Sequence, residues 1–219
     1  MDPVEPTQEA WPVERSLDQP GSFANPPVAV ADAPVVVDSV PGSFEATQNT
    51  KRHRRLIITT FAIAAATILA DQLTKGWALT ALADGHRVEL LGEYLSLWLL
   101  RNPGAALGIG DGFTWVLTIV VVALVAAMFW VIPRIRSLGW AWAFGLLLGG
   151  AIGNLIDRLF RYPGFAHGKV IDFIAYWNWF VGNVADIAIV IAAGLIILLT
   201  FRGIHIDGTR DSDKAKPSP

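Results

Sequence analysis

The chain has 219 residues, 53% of them apolar and only 16% charged, with a mean hydropathy of +0.46. Soluble domains carry about a quarter charged residues, so this composition, with nine Trp, excludes an ordinary cytosolic globule. There is no cysteine, which excludes disulfides, thiolate metal sites and a Cys nucleophile. The net charge of −2 hides a division: residues 1–50 hold eight acids against one base, Arg15, while the remainder has 16 bases and 11 acids. Neither part sustains a basic face, so nucleic acid is not an expected partner.

Residues 1–50 contain eight of the thirteen prolines and lack helical periodicity. A segment of that composition cannot bury enough surface to offset its ordering entropy, so it is expected to be a disordered acidic tail. The basic cluster Lys51-Arg52-His53-Arg54-Arg55 then abuts the first apolar segment. Spanning a bilayer takes roughly 20 apolar residues at about 1.5 Å each. The chain offers four such stretches, at about 56–79, 113–132, 138–159 and 182–201. A cleaved signal peptide is a poor account of the first, which begins some 55 residues in with no small-x-small cleavage site. The expected fold is therefore an all-α integral membrane protein of four transmembrane helices, covering 51–202, with a C-terminal tail at 203–219.

The basic cluster, the loop Pro133-Arg134-Ile135-Arg136 and the tail with Arg202, Arg210, Lys214 and Lys216 fall on one side. By the distribution of basic flanks that side is cytoplasmic, and both termini lie there. Trp130, Trp140 and Trp142 then belong to the inner interface; Trp77, Trp98, Trp115, Trp177 and Trp179 belong to the outer one. Two longer segments, about 80–112 and 160–181, face outward. In the first of them Tyr94–Leu99 alternates at period two, which predicts a small extracytoplasmic β element.

Ionisable groups inside a span are costly and mark candidate sites. Asp71 lies 16 residues beyond Arg55 and Asp186 lies 16 before Arg202, each about 24 Å from the inner edge. Asn154 and Asp157 lie 18 and 21 residues beyond Arg136, at about 27 and 31 Å. Four polar groups from three helices thus reach one level beneath the outer surface. Asp172, in the following outer loop, is 14 residues before Asp186 and within reach of it. No HExxH occurs and the four histidines, His53, His86, His167 and His205, lie outside the spans, so no metal is called for. Ser96 and Ser137 lie in no nucleophile motif, and phosphate-binding glycine loops are missing. Carboxylates remain. Two of them sharing a proton can hydrolyse an amide, one taking a proton from water and the other donating one, with repulsion and low dielectric holding their pKa values apart. That chemistry needs no cofactor.

Four local patterns stand in order: Asp71-Gln72-Leu73-Thr74-Lys75; Arg101-Asn102-Pro103-Gly104-Ala105-Ala106; Gly153-Asn154-Leu155-Ile156-Asp157-Arg158; and Val170-Ile171-Asp172-Phe173 with Asn183-Val184-Ala185-Asp186. Jointly they resemble bacterial lipoprotein signal peptidase (signal peptidase II), over about 51–202. The resemblance implies an aspartic endopeptidase in the bacterial plasma membrane. Its substrate would be a prolipoprotein, cut just before the diacylglyceryl-modified cysteine near the outer face. It implies Asp172 and Asp186 as the catalytic pair, with Asp71, Lys75, Arg101, Asn102, Asn154, Asp157, Arg158 and Asn183 in support. Membrane lipid and a prolipoprotein are the implied partners, and a monomer is expected. The family's usual F-N-x-A-D-S reads Gly182-Asn183-Val184-Ala185-Asp186-Ile187, with a Phe at 180 instead. The loop from Arg158 to Asp172 is slightly long.

Plainer readings stand beside these. Asp71 and Asp157 read as structural braces, with Asp157 and Arg158 paired to hold the loop carrying Asp172. Lys75 is expected to snorkel to the outer interface. Arg101 suits a lipid phosphate or substrate backbone equally well. Gly149 and Gly153 read as close helix packing, and Pro103-Gly104-Ala105-Ala106 as a turn entering the second span. Gly108-Ile109-Gly110-Asp111 matches the GxGD pattern of another intramembrane protease class, but a turn before the second span explains it. A transporter using the outer carboxylates as an ion site is disfavoured, because the inner halves of the spans are nearly free of ionisable groups. A scaffold leaves the acids unexplained.

Overall fold

Pro41 opens the first helix from the position where its missing N–H costs nothing, and no further proline occurs until Pro103. Helix α1 accordingly runs unbroken over Pro41–Ala81. Ten residues assigned above to the tail, 41–50, are therefore helical, since Glu45, Ala46 and Gln48 are good helix formers and no proline follows Pro41 in the segment. The computed structural model describes residues 41–104 and 114–214. The expectations for 1–40, for Ala105 and Ala106 and for the Gly108–Asp111 pattern lie outside the described residues.

After α1 come strands β1 (Val88–Leu91) and β2 (Leu95–Asn102), then α2 (Thr114–Val131) and a 3₁₀ turn at Ile132–Arg134. Helix α3 (Leu138–Phe160), strands β3 (Val170–Tyr176) and β4 (Phe180–Gly182), α4 (Val184–Phe201) and a short α5 (Asp211–Lys214) complete the chain. Four helices are long and apolar enough to cross a membrane. The innermost is α3, 61% of whose most apolar window is buried, against 17–28% for the others. Its glycines explain the burial. A Cβ on Gly145 or Gly149 would lie 2.9 Å or 2.8 Å from the Thr60 or Ala64 carbonyl of α1, and one on Gly150 2.6 Å from the Ala185 carbonyl of α4. Small residues at this spacing let helix backbones approach where no hydrophobic force drives them together.

The end of the bundle near Arg134 and Arg136 is closed by the chain beyond α4. The Arg136 N–H donates to Ile206 O at 2.8 Å, and Trp140 Nε1 donates to Ile204 O at 2.9 Å. Trp140 is thus a core residue, 7% exposed, rather than part of an interfacial belt. The core at this end joins Leu56, Met128, Ile132, Ile135, Leu148 and Leu199.

At the other end the four strands form one antiparallel sheet in the order β1-β2-β3-β4. Phe173 on β3 packs with Ala78 and Leu82 of α1, its ring edge-on to Trp77 at 6.3 Å. Of the alternating stretch Tyr94–Leu99, residues 95–99 lie in β2 and Tyr94 in the turn before it. Asp172, however, is on a strand and not on a loop. The run Val170-Ile171-Asp172-Phe173-Ile174 is β-branched or aromatic around a single acid, which suits a strand paired on both sides.

Candidate active site

Asp71 and Lys75 stand one turn apart on α1, and both are fully buried. The Lys75 ammonium donates to Asp71 Oδ2 at 2.8 Å, to Asp157 Oδ2 at 2.8 Å and to Asn154 Oδ1 at 2.9 Å. All three of its protons are used, so the expected snorkelling does not occur. Two carboxylates and an amide oxygen inside the bundle outweigh the interface.

The two acids that hold Lys75 also hold the chain's next elements. Asp71 Oδ1 accepts the Ala185 N–H at 3.0 Å, fixing the first turn of α4. Asp157 Oδ2 accepts the Ile171 N–H at 3.2 Å, fixing β3 beside Asp172. Asp157 pairs with Arg161 and not with Arg158, because residues four apart share a helix face while neighbours diverge by about 100°. The Arg158 guanidinium instead reaches Gly104, whose Cβ would lie 3.3 Å and 3.4 Å from its two terminal nitrogens. Its Nη1 is buried with no hydrogen-bond partner among the described residues.

Asn183 caps α4 in a capping box. Its Oδ1 accepts the Asp186 N–H at 3.0 Å, and Asp186 Oδ2 accepts the Asn183 N–H at 3.0 Å. This leaves Asn183 Nδ2 to donate to Asp172 Oδ1 at 2.6 Å and to Asn154 Oδ1 at 3.1 Å. Asn154 Nδ2 donates to Asp186 Oδ1 at 2.9 Å. Asn102, at the end of β2, donates to Asp172 Oδ2 at 2.8 Å and accepts from the Gly104 N–H at 2.8 Å. Asp172 and Asp186 are therefore both tied to Asn183, and every oxygen of the two carboxylates accepts one hydrogen bond.

Asp172 is 1% exposed. Burial pushes its carboxyl up to about 6 and the charge of Asp186 adds to the rise, while the Asn102 and Asn183 amides and the Lys75 charge pull the other way. A buried acid that holds its proton this far above the ordinary carboxylate range, beside a second acid, can serve as donor and acceptor in turn.

Of the ten residues singled out from the sequence, eight meet in this network: Asp71, Lys75, Asn102, Asn154, Asp157, Asp172, Asn183 and Asp186. Arg158 borders it. Arg101 does not join it: successive strand residues point to opposite faces, and Arg101 is exposed on the face away from Asn102. Two further members come from outside that set. Gln72 donates to Asp71 Oδ2 at 3.1 Å and to Gly153 O at 3.0 Å, and Arg161 pairs with Asp157. The spacing Asp157–Arg161 and the position of Gln72 inside the first motif are the signals that point to them. Among the described residues no group of three His, Asp or Glu side chains converges as a metal site.

The family described as Signal peptidase (SPase) II matches residues 63–202. The lipoprotein signal peptidase of Leifsonia xyli subsp. xyli is 44% identical over 177 residues, covering 80% of this chain and 82% of that one. That of Rhodococcus jostii is 43% identical over 173 residues, 79% and 86% of the two chains. A solved structure described as a bacterial membrane enzyme at 1.9 Å aligns with TM-score 0.58 and 29% identity, covering 66% of this chain and 93% of that one.

Proposed function

The chain belongs to the signal peptidase II family and so is an aspartic endopeptidase that removes signal peptides from prolipoproteins, and we propose that Asp172 and Asp186 are its catalytic pair. The observation that carries this reading is the shared Asn183, which bonds to both carboxylates within a largely buried network. Two acids held this way cannot both ionise easily in a low-dielectric setting, so the pair keeps one proton.

The ionised member takes a proton from water as the water oxygen adds to the scissile carbonyl carbon. The neutral member gives its proton to the carbonyl oxygen. Collapse of the tetrahedral diol breaks the C–N bond, the leaving amine of the cysteine takes a proton from the pair, and the signal peptide leaves as a carboxylic acid. Asn102, Asn154 and Asn183 keep the carboxyl groups aimed, which spares reorganisation during the reaction. The buried Lys75 ion pairs lie behind the site and position β3 and α4.

We further read the end bearing Arg134, Arg136 and Arg202 as cytoplasmic, with both termini there, and the carboxylates near the outer leaflet. The concentration of basic residues at that end supports it. Substrate then reaches the pair laterally from the membrane, and the enzyme acts as a monomer. The decisive experiment is a gel-shift cleavage assay on lipid-modified prolipoprotein. Asp172→Asn and Asp186→Asn are expected to abolish the shift while eluting as folded protein. Normal processing by either variant refutes the assignment.

A further inference from the structure

Catalysis leaves the opposite end of the bundle unused. A polar cavity of about 250 Å³ opens there, lined by Asn49, Arg52, His53 and Leu56 of α1, by Arg136 of the α2–α3 connection, and by Asp207 and Gly208 beyond α4. The four α1 residues stand at i, i+3, i+4 and i+7 and so share one helix face. Leu56, 8% exposed, begins the apolar run of the first span. The cavity therefore lies where the spans meet the headgroup layer.

Its walls are fixed by hydrogen bonds between elements. The Arg136 N–H donates to Ile206 O at 2.8 Å, and the turn that follows is closed by the Gly208 N–H to His205 O at 3.0 Å and the His205 N–H to Thr209 O at 2.9 Å. Gly208 has a φ of +84°, and a Cβ there would lie 3.3 Å from Arg136 O, so glycine lets this turn lie against the arginine. His53 Nδ1 donates to Ile135 O at 3.2 Å, tying α1 to the same connection. Arg52 and Arg136 thus start from anchored backbone on two sides of one cavity. Both are exposed, and neither forms an ion pair among the described residues. The cavity's one acid is Asp207, whose Oδ1 accepts the Thr209 N–H at 2.9 Å and the Thr209 hydroxyl at 2.7 Å. His53 becomes a donor at Nε2 only when protonated, so attraction for an anion rests on the two guanidinium groups.

We propose that this cavity binds the phosphodiester headgroup of an anionic phospholipid, with Arg52 and Arg136 as its phosphate ligands. Planar guanidinium forks match phosphate oxygens two at a time, and basic pockets between helices at a membrane surface suit such headgroups. Sites for drug-sized molecules occupy about 300–1,000 Å³, so this volume admits a headgroup and leaves the acyl tails in the bilayer. The bound lipid joins α1, the α2–α3 connection and the C-terminal segment at one point. The inference depends on the four helices spanning a membrane and not on the assignment of the catalytic pair.

The test is native mass spectrometry of the full-length protein in neutral detergent, titrated with phosphatidylglycerol or phosphatidylcholine. The ionic strength is roughly 0.15 M, where exposed charges more than about 8 Å apart are largely screened. Phosphatidylglycerol is expected to be retained in preference to phosphatidylcholine; equal retention overturns the site. Arg52→Gln with Arg136→Gln is expected to weaken phosphatidylglycerol binding about twentyfold to thirtyfold, roughly fivefold for each arginine. Arg54→Gln with Arg55→Gln removes the same charge from other faces of α1 and is expected to change binding less than about threefold. Equal weakening by the two pairs means attraction by diffuse surface charge and overturns the cavity. Both pairs lie far from the carboxylates and are expected to cleave prolipoprotein at the wild-type rate, which reports that they fold. Inorganic phosphate at the lipid's own concentration is expected to leave the lipid bound; displacement at that concentration makes free phosphate the occupant and overturns the lipid.

Discussion

The Asn183 side-chain amide donates to Asp172 Oδ1 at 2.6 Å while its oxygen caps the helix that carries Asp186. One residue therefore does a structural job with one atom and a positioning job with another, and substitution can separate them. Asn183→Ser keeps an oxygen able to cap α4 and removes the donor to Asp172. It is expected to hold the wild-type melting temperature closely and to lose about 10²–10³-fold in kcat. Asn183→Ala loses both, with about 1 kcal/mol of further destabilisation from the missing cap. Calorimetry in detergent beside the cleavage assay checks the split. Equal kcat in Asn183→Ser and wild type contradicts the positioning role.

The four apolar helices were legible because length and hydropathy are read residue by residue, and each span here keeps its charges few. The strand bearing Asp172 was not, since a short apolar run broken by one acid has no period to recognise. Lys75 misled for a different reason. Its i,i+4 partner Asp71 is visible in sequence, but Asn154 and Asp157 come from a helix about 80 residues on, and only three acceptors together hold an ammonium inside a bundle. Arg158 and Arg161 are equally plausible partners of Asp157 until helical phase is applied; the phase selects Arg161.

Asp172 makes stability depend on pH in a defined sense. Its folded-state pKa, about 6, lies above the usual value of 3.8, so the native state binds more protons than the unfolded chain between these values. Its relative contribution is complete below about pH 4 and is lost as pH rises through 6, by up to about 3 kcal/mol at neutrality. Asp172→Asn cannot titrate. The melting temperature of wild type relative to this variant is therefore expected to fall as pH is raised from 4 to 8. A constant difference across that range contradicts the raised pKa.

Removing the buried cation exposes what it balances. Lys75→Met leaves Asp71 and Asp157, both 0% exposed, without their shared partner, and is expected to cost about 3–5 kcal/mol. Cleavage falls with it, since Asp71 holds Ala185 and Asp157 holds Ile171. The triple variant Lys75→Met, Asp71→Asn, Asp157→Asn carries no buried charge at this point and is expected to regain much of the melting temperature. If Lys75→Met alone melts like wild type, the ion pairs are not what braces β3 and α4.

The glycines of the bundle divide into two kinds that substitution by alanine separates. Gly149 faces α1, where a Cβ would sit 2.6 Å from Thr67 Cβ and 2.8 Å from the Ala64 carbonyl. Two backbones would have to part to admit it, and α3 cannot move from α1 without disturbing Asn154 and Asp157, about one and two turns on. Gly149→Ala is expected to lose about 1–3 kcal/mol and to lower activity along with stability. Gly76 lies on α1, and a methyl group added there would meet nothing within 4 Å; it is next to Lys75 in sequence but on another face. There alanine relieves the conformational freedom of glycine at no steric cost, so Gly76→Ala is expected to gain about 0.5–1 kcal/mol with cleavage unchanged. Melting temperatures of the two variants on opposite sides of wild type are the expected result; a shift of both in the same direction contradicts the α1–α3 contact.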